Sequence, residues 1–217
     1  MTDIIAPPES VGVFALPRLV VFPGAVFPLH VFEPRYRALV RDALDGDRSF
    51  ALALLRPGYE RAFEGTPDIY PVGCMARIEE VVPLPDGRFL LTLTGTARVE
   101  FHEMVSPTPY RRHRVRYLPE RSPDEWAAPT REMLLRLVSA YQQIAGAVSG
   151  RESPAPLPTT APFATTVNRI AFSLDLEPEI KYGLLEDSQV LTRAETLVAL
   201  LEAALPGYLK LSEDSLN

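Results

Sequence analysis

Residues 72–94 read VGCMARIEEVVPLPDGRFLLTLT, and this stretch decides the fold. Val72–Leu84 is a long apolar run, Asp86-Gly87 is the favoured two-residue hairpin turn, and Arg88–Thr94 returns. In the returning arm Phe89, Leu91 and Leu93 share one face and Thr92 and Thr94 the other. A period of two with one apolar face is a half-buried strand. Cys74 has Val72 and Ala76 on its own face and reads as a buried small hydrophobe rather than a reactive thiol.

Short extended runs continue on both sides of this hairpin. Val11–Leu16 and Leu19–Phe22 are separated by Pro17 and closed by the turn Pro23-Gly24, and Phe27–Phe32 follows. Glu33-Pro34 opens a helix with proline at its first position, Tyr36, Leu39, Val40 and Ala43 repeat at helical spacing, and Gly46 stops it. Phe50–Leu55 reads as a buried strand and Pro57–Pro71 as a polar loop. Beyond the hairpin, Gly95 breaks the run, Ala97–Val105 continues the meander and Tyr110–Leu118 is a last strand rich in arginine.

The pattern changes at Leu118–Pro123. Ser122-Pro123-Asp124-Glu125 has the form of a capping box. Leu134, Leu137, Val138, Tyr141, Ile144 and Val148 then mark a long amphipathic helix. A proline-rich loop spans 149–162, and three shorter helices follow, centred on Val167–Leu174, Pro178–Glu186 and Leu191–Leu205. The expectation is an α+β protein: a β-rich lobe with one helix over residues 1–121, then a helical lobe over 122–217.

Composition bounds the function. Hydrophobic residues make up 47% of the 217 and charged residues 23%, enough apolar surface for a folded core. The most apolar stretch, Leu19–Phe32, is shorter than the ~20 residues a membrane span needs, and it holds Pro23 and Pro28. A single cysteine excludes an intrachain disulfide, and the amino terminus shows no leader pattern, so a reducing cytoplasm is expected. The net charge of −6 weighs against a nucleic-acid binder.

No catalytic constellation assembles from the residue types. No glycine precedes a lysine, so there is no phosphate-cradling loop, and no G-x-S-x-G elbow occurs. A serine–lysine dyad has only Lys181 or Lys210 to draw on, and Lys181 sits among Glu177, Glu179 and Glu186. His30, His102 and His113 lie on separate segments, without metal-ligand spacing. Neither a metal nor another cofactor is expected.

Several segments together resemble a known family. Leu16-Pro17 followed by Leu19–Phe22, Pro23-Gly24 and Pro28-Leu29 resembles the opening of the N-terminal domain of Lon proteases. His30–Arg37, Pro71–Ile78, Leu84-Pro85-Asp86-Gly87, Gly95-Thr96-Ala97-Arg98-Val99 and the helices of Ala164–Leu205 are similar to later parts of that domain, in the same order. The resemblance covers roughly residues 11–205. It implies a PUA-like β pseudo-barrel with a helical bundle behind it. It also implies Lon's substrate-recognition module without the ATPase and peptidase, since the chain ends at Asn217.

The function then expected is non-enzymatic capture of unfolded or apolar protein segments, in association with a proteolytic machine. Aromatic side chains in polar settings are the candidates for contact: Tyr59, Phe63 and Tyr70 in the Pro57–Pro71 loop, and Phe27 after the Pro-Gly turn. The alternatives are an oligomerising adaptor and an RNA binder. For RNA the feature is strand 110–117, where alternation puts Arg112, Arg114 and Arg116 on one face.

Overall fold

The computed structural model describes residues 10–62, 65–107, 109–149 and 161–214. In chain order the strands are β1 (Val11–Leu16), β2 (Val26–Val31), β3 (Ser49–Leu54), β4 (Val72–Pro83), β5 (Phe89–Ser106) and β6 (Arg112–Leu118). The α-helices are α1 (Pro34–Asp45), α2 (Ala128–Ser149), α3 (Phe163–Ser173), α4 (Pro178–Glu186) and α5 (Val190–Asp214). Two compact units result: Met1–Pro119 with Asp175–Glu186, and Glu120–Leu174 with Asp187–Asn217. Helix α4 therefore groups with the β-rich unit, whereas a single cut at residue 121 leaves it among the other late helices.

In the β-rich unit the strand order is β2-β5-β4-β3-β1-β6, and β5 also pairs with β6. That extra pairing closes β5-β4-β3-β1-β6 into a ring and leaves β2 outside it. One long strand makes this possible. Residues Phe89–Thr94 of β5 pair with β2, and Arg98–Ser106 pair with β6. The change of partner falls at Gly95, where the register against β4 shifts between Met75 and Ala76. Gly95 donates to Ala25 O at 2.9 Å and accepts from Gly24 N at 2.8 Å, and a Cβ there would overlap the Phe22 carbonyl. Gly95 is thus a bulge inside a continuous strand rather than a break.

The hairpin also differs from the two-residue turn expected. Leu84 N donates to Arg88 O at 2.8 Å and Gly87 N to Leu84 O at 2.9 Å, so the loop is Pro85-Asp86-Gly87. Only Gly87 is left-handed, with φ 79°. Pro85 explains the choice: its fixed negative φ fits the first central position of a type I turn, which glycine then follows.

Helix α1 follows its sequence signals closely. It starts at Pro34, stops before Gly46 and buries Tyr36, Leu39, Val40 and Ala43. The Tyr36 ring stacks on Phe14 at 3.7 Å, and its hydroxyl donates to Ala15 O at 3.0 Å. The run Leu19–Phe22 is not a strand. Val20, Val21 and Phe22 are core residues of the turn that leads into β2. Cys74 is fully buried.

In the second unit α2 packs on α5, with α3 against both. The capping box does not form. Helix α2 begins at Ala128; Asp124 Oδ1 accepts from Trp126 N at 3.0 Å, and Glu125 Oε1 accepts from Phe163 N at 3.1 Å. Glu125 thereby serves the start of α3, where Pro162 offers no side-chain cap. Arg193 is fully buried in this unit. It donates to Glu120 Oε1 at 2.6 Å and Asp187 O at 2.7 Å, and also bonds Asn168 Oδ1. Most of the proline-rich loop 149–162 lies outside the described residues.

Candidate functional site

The 57–71 loop is pinned at its base as a continuation of β3. Arg56 N donates to Asp68 O and Tyr70 N to Leu54 O, both at 2.9 Å, and Leu55 bridges Ile69. Inside it Tyr59–Ala62 forms a short 3-10 turn. Tyr59 is half-buried and packs against the core cluster that includes Val13, Ala53 and Val99. Tyr70 is also half-buried; its ring lies 4.2 Å from that of Tyr182, with the Arg56 guanidinium 4.9 Å from its centre. Tyr182 donates to Glu186 Oε1 at 2.9 Å, and burial, then this bond, pushes its phenol pKa well up.

Two cavities open beside the loop, and Thr66 lines both. One, of about 260 Å³, is walled by Arg56, Tyr59 and Asp68. The other, of about 280 Å³, is walled by Arg35, Tyr36, Pro107, Tyr110 and Arg111. Of the four aromatic candidates, Phe27 must be withdrawn as a contact residue. It is 5% exposed, because its position in β2 opposite Leu93 faces the core. Phe63 lies outside the described residues. Tyr59 and Tyr70 share the loop but use much of their surface inward.

The arginine stripe is answered within the protein. Arg112 donates to Ser10 O at 2.8 Å and to the Tyr110 hydroxyl at 3.2 Å. Arg114 lies 3.6 Å from Glu103, and Arg116 donates to Glu100 at 2.7 Å. The Arg116 bond holds the Glu100 carboxyl below its ordinary pKa. Two carboxylates of β5 thus offset the two outermost arginines, which shrinks any release of counterions on binding a phosphate backbone. Between Arg112 and Arg114, His113 is buried, with Nδ1 3.0 Å from His102 O. Burial pushes its pKa down.

One surface escaped the sequence reading. Across β4, β5 and β2 the residues Val82, Leu90 and His30 stand directly opposite one another, and all three are exposed. Val82 is 54% and Leu90 45% exposed; Phe32, just past β2, is 59% exposed with its ring 5.8 Å from His30. Pro28 in β2 lacks the N–H that strand addition uses, so the sheet face rather than the edge is offered. Leu90 was the available signal, an apolar residue on the face otherwise occupied by Thr92 and Thr94. In the other unit Trp126 and Leu135 are exposed, and Trp126 lines a cavity with Leu134 and Phe163.

Among the described residues no group of His, Cys, Asp or Glu is placed to hold a metal ion, and no helix is long and apolar enough to cross a membrane. A mixed six-stranded sheet and a helical unit make this an α+β protein. The chain belongs to the family of the ATP-dependent protease La (LON) substrate-binding domain, whose model matches residues 10–203.

Its relatives agree. It is 29% identical over 199 residues to the Lon protease of Flavobacterium johnsoniae, covering 88% of this chain and 24% of that protein. It is 30% identical over 115 residues to the Lon protease of Anaeromyxobacter dehalogenans, covering 53% and 14%. The chain thus spans a quarter or less of the length of these relatives. A Lon N-terminal domain protein from Xanthomonas campestris superposes with a TM-score of 0.58 at 25% identity, covering 88% of this chain and 97% of that one. The N-terminal domain of a Mycobacterium avium complex Lon protease superposes with a TM-score of 0.61 at 16% identity, covering 89% and 98%, which bears on the fold alone.

Proposed function

We propose that this chain is a non-enzymatic protein-binding module of the cytoplasm that captures unfolded or apolar polypeptide segments and works beside a Lon-like proteolytic machine. Membership of a substrate-binding family supports the class of ligand. The observation that carries the site is the exposed row Val82–Leu90–His30 with Phe32 beside it. Apolar side chains on an open sheet face gain by covering one another, and a three-strand face accepts an extended segment laid across it. In this reading the loop with Tyr59, Phe63 and Tyr70 is the second contact surface. The ring of five strands is read as a PUA-like pseudo-barrel and the helical unit as a bundle. The paired Arg114 and Arg116 weigh against the RNA alternative.

The test is the double variant V82T/L90T. Threonine keeps strand propensity and removes apolar surface that is already in water, so the melting temperature should stay within a few degrees. Binding of reduced, carboxymethylated α-lactalbumin, a permanently unfolded chain, should weaken about tenfold. Unchanged binding would remove the sheet face from the site. Binding that collapses as salt is raised would favour an electrostatic partner instead.

A further inference from the structure

Arg111 precedes β6 and is 7% exposed. Its backbone is in use, since its carbonyl accepts from Val13 N at 2.9 Å. Its guanidinium is not. Among the described residues none accepts a hydrogen bond from it or pairs with it, whereas Arg112, Arg114 and Arg116 are all held by neighbours. Burial opposes its charge most and Arg35 adds to this, while Tyr36 and the Asp68 carboxylate act the other way without bonding it. The Arg111 donors have no acceptor among the described residues, and its nitrogens are not sealed from solvent, so an acceptor that enters the adjoining cavity can reach them.

The surroundings say what that complement is. Arg111 lines the 280 Å³ cavity together with Arg35, Tyr36, Pro107, Pro109 and Tyr110. Thr66 also lines it, and the other charged and phenolic groups there are already engaged. Arg35 pairs with Glu33 at 2.8 Å, the Tyr36 hydroxyl donates to Ala15 O, and the Tyr110 hydroxyl donates to Asp42 at 2.6 Å. Arg35 and Tyr36 also belong to the first turn of α1, where the helix dipole favours an anion. Prolines and tyrosine rings make the rest of the wall apolar. One free guanidinium matches one carboxylate, bidentate, and leaves much of a phosphate dianion's charge unanswered.

We propose that this cavity binds a carboxylate carried on a small apolar group, held by Arg111, and that its source is the C-terminal residue of a captured polypeptide. The carboxylate site stands on the cavity itself; the polypeptide source rests on the protein-binding reading above. N-acetyl-leucine, titrated into the full chain, should shift the Arg111 Nε–H signal saturably in NMR, with that signal assigned by its loss in R111K. N-acetyl-leucinamide should not. In R111M the affinity should fall about tenfold or more.

Removing an unpaired buried cation should leave R111M as stable as the parent, and R111K serves as the binding control if R111M fails to fold. Equal shifts with acid and amide, or undiminished binding in both variants, would overturn the site. The E64A variant removes the acidic residue that precedes Gly65 in the sequence. If only E64A binds the acid, the cation belongs to an internal pair and the external ligand falls. Finally, an apolar peptide with a free C-terminus should bind tighter than its amidated form. Equal binding of the two would refute the C-terminal source alone, and binding of neither would refute the capture reading while the N-acetyl-leucine result still decides the site.

Discussion

Replacing Arg98 by methionine should loosen α4 from the β-rich unit and cost a large share of its stability. Arg98 is 2% exposed, within β5. Its Nε donates to Leu185 O at 2.7 Å, its Nη2 to Glu186 O at 2.5 Å and its Nη1 to Pro119 O at 3.4 Å. Leu185 and Glu186 end α4, where the last carbonyls of a helix have no partner of their own. The guanidinium therefore acts as a C-terminal cap supplied from another element, and its charge also suits the negative end of the helix. Each hydrogen bond to a charged donor is worth ~1.5–3 kcal/mol, and two are short. Methionine recovers the cost of burying a cation but leaves both carbonyls unpaired, at ~1–3 kcal/mol apiece. A net loss of about 3 kcal/mol follows, against the ~5–15 kcal/mol total of an ordinary domain. Urea unfolding followed by far-ultraviolet circular dichroism measures the loss. Hydrogen exchange should show amides of residues 178–186 losing protection before those of β3 and β4. R98K, with one compact donor group, should fall between. A change below about 1 kcal/mol with α4 still protected would refute the capping argument.

Two further perturbations test other parts of the structure. His113 is held neutral, with its folded pKa below the ordinary 6.5; the unfolded chain takes up the proton first, so stability should fall as pH drops through 6.5 toward the folded value. The urea midpoint of the parent should therefore fall between about pH 7.5 and about pH 5.5 more than that of H113N, and parallel curves would exclude His113 as the cause. G95A puts a methyl group against the Phe22 backbone carbonyl and should destabilise by roughly 1–3 kcal/mol or more, whereas an unchanged melting temperature would mean the 22–25 turn can move away at no cost.

What could be read in advance depended on whether a signal was local. Helix α1 was legible because its start, stop and apolar repeat all lie within thirteen residues, Pro34–Gly46, and each acts through neighbours in the chain. The hairpin is legible in outline for the same reason, while Pro85 lengthens its loop by one residue by entering the turn. Gly95 could not be read correctly. A glycine that breaks a strand and one that lets another backbone approach look alike until Phe22, seventy-three residues earlier, is in place. Ser122 failed differently: the capping pattern was present, but Glu125 had a better use at Phe163 N. The helix α4 was predicted, but its allegiance was not, since the Arg98 contact is long-range.

The candidate site divides in the same way. Alternation along a strand states which residues share a face, but not which face meets water; closure of the ring decides that. Arg112, Arg114 and Arg116 were singled out because they alternate, and the outer face they occupy is the one β5 supplies with Glu100 and Glu103. Arg111 stands one residue earlier, opposite in parity, and so falls on the inward side, where among the described residues Asp68 acts on it but no carboxylate bonds it. A stripe of arginines draws attention by its charge density, yet charge density on an exposed strand is what neighbouring carboxylates most readily offset. The cation proposed above to hold a ligand is the one that folding buries without a bonded carboxylate among the described residues, and no count of basic residues along the strand distinguishes it from its neighbours.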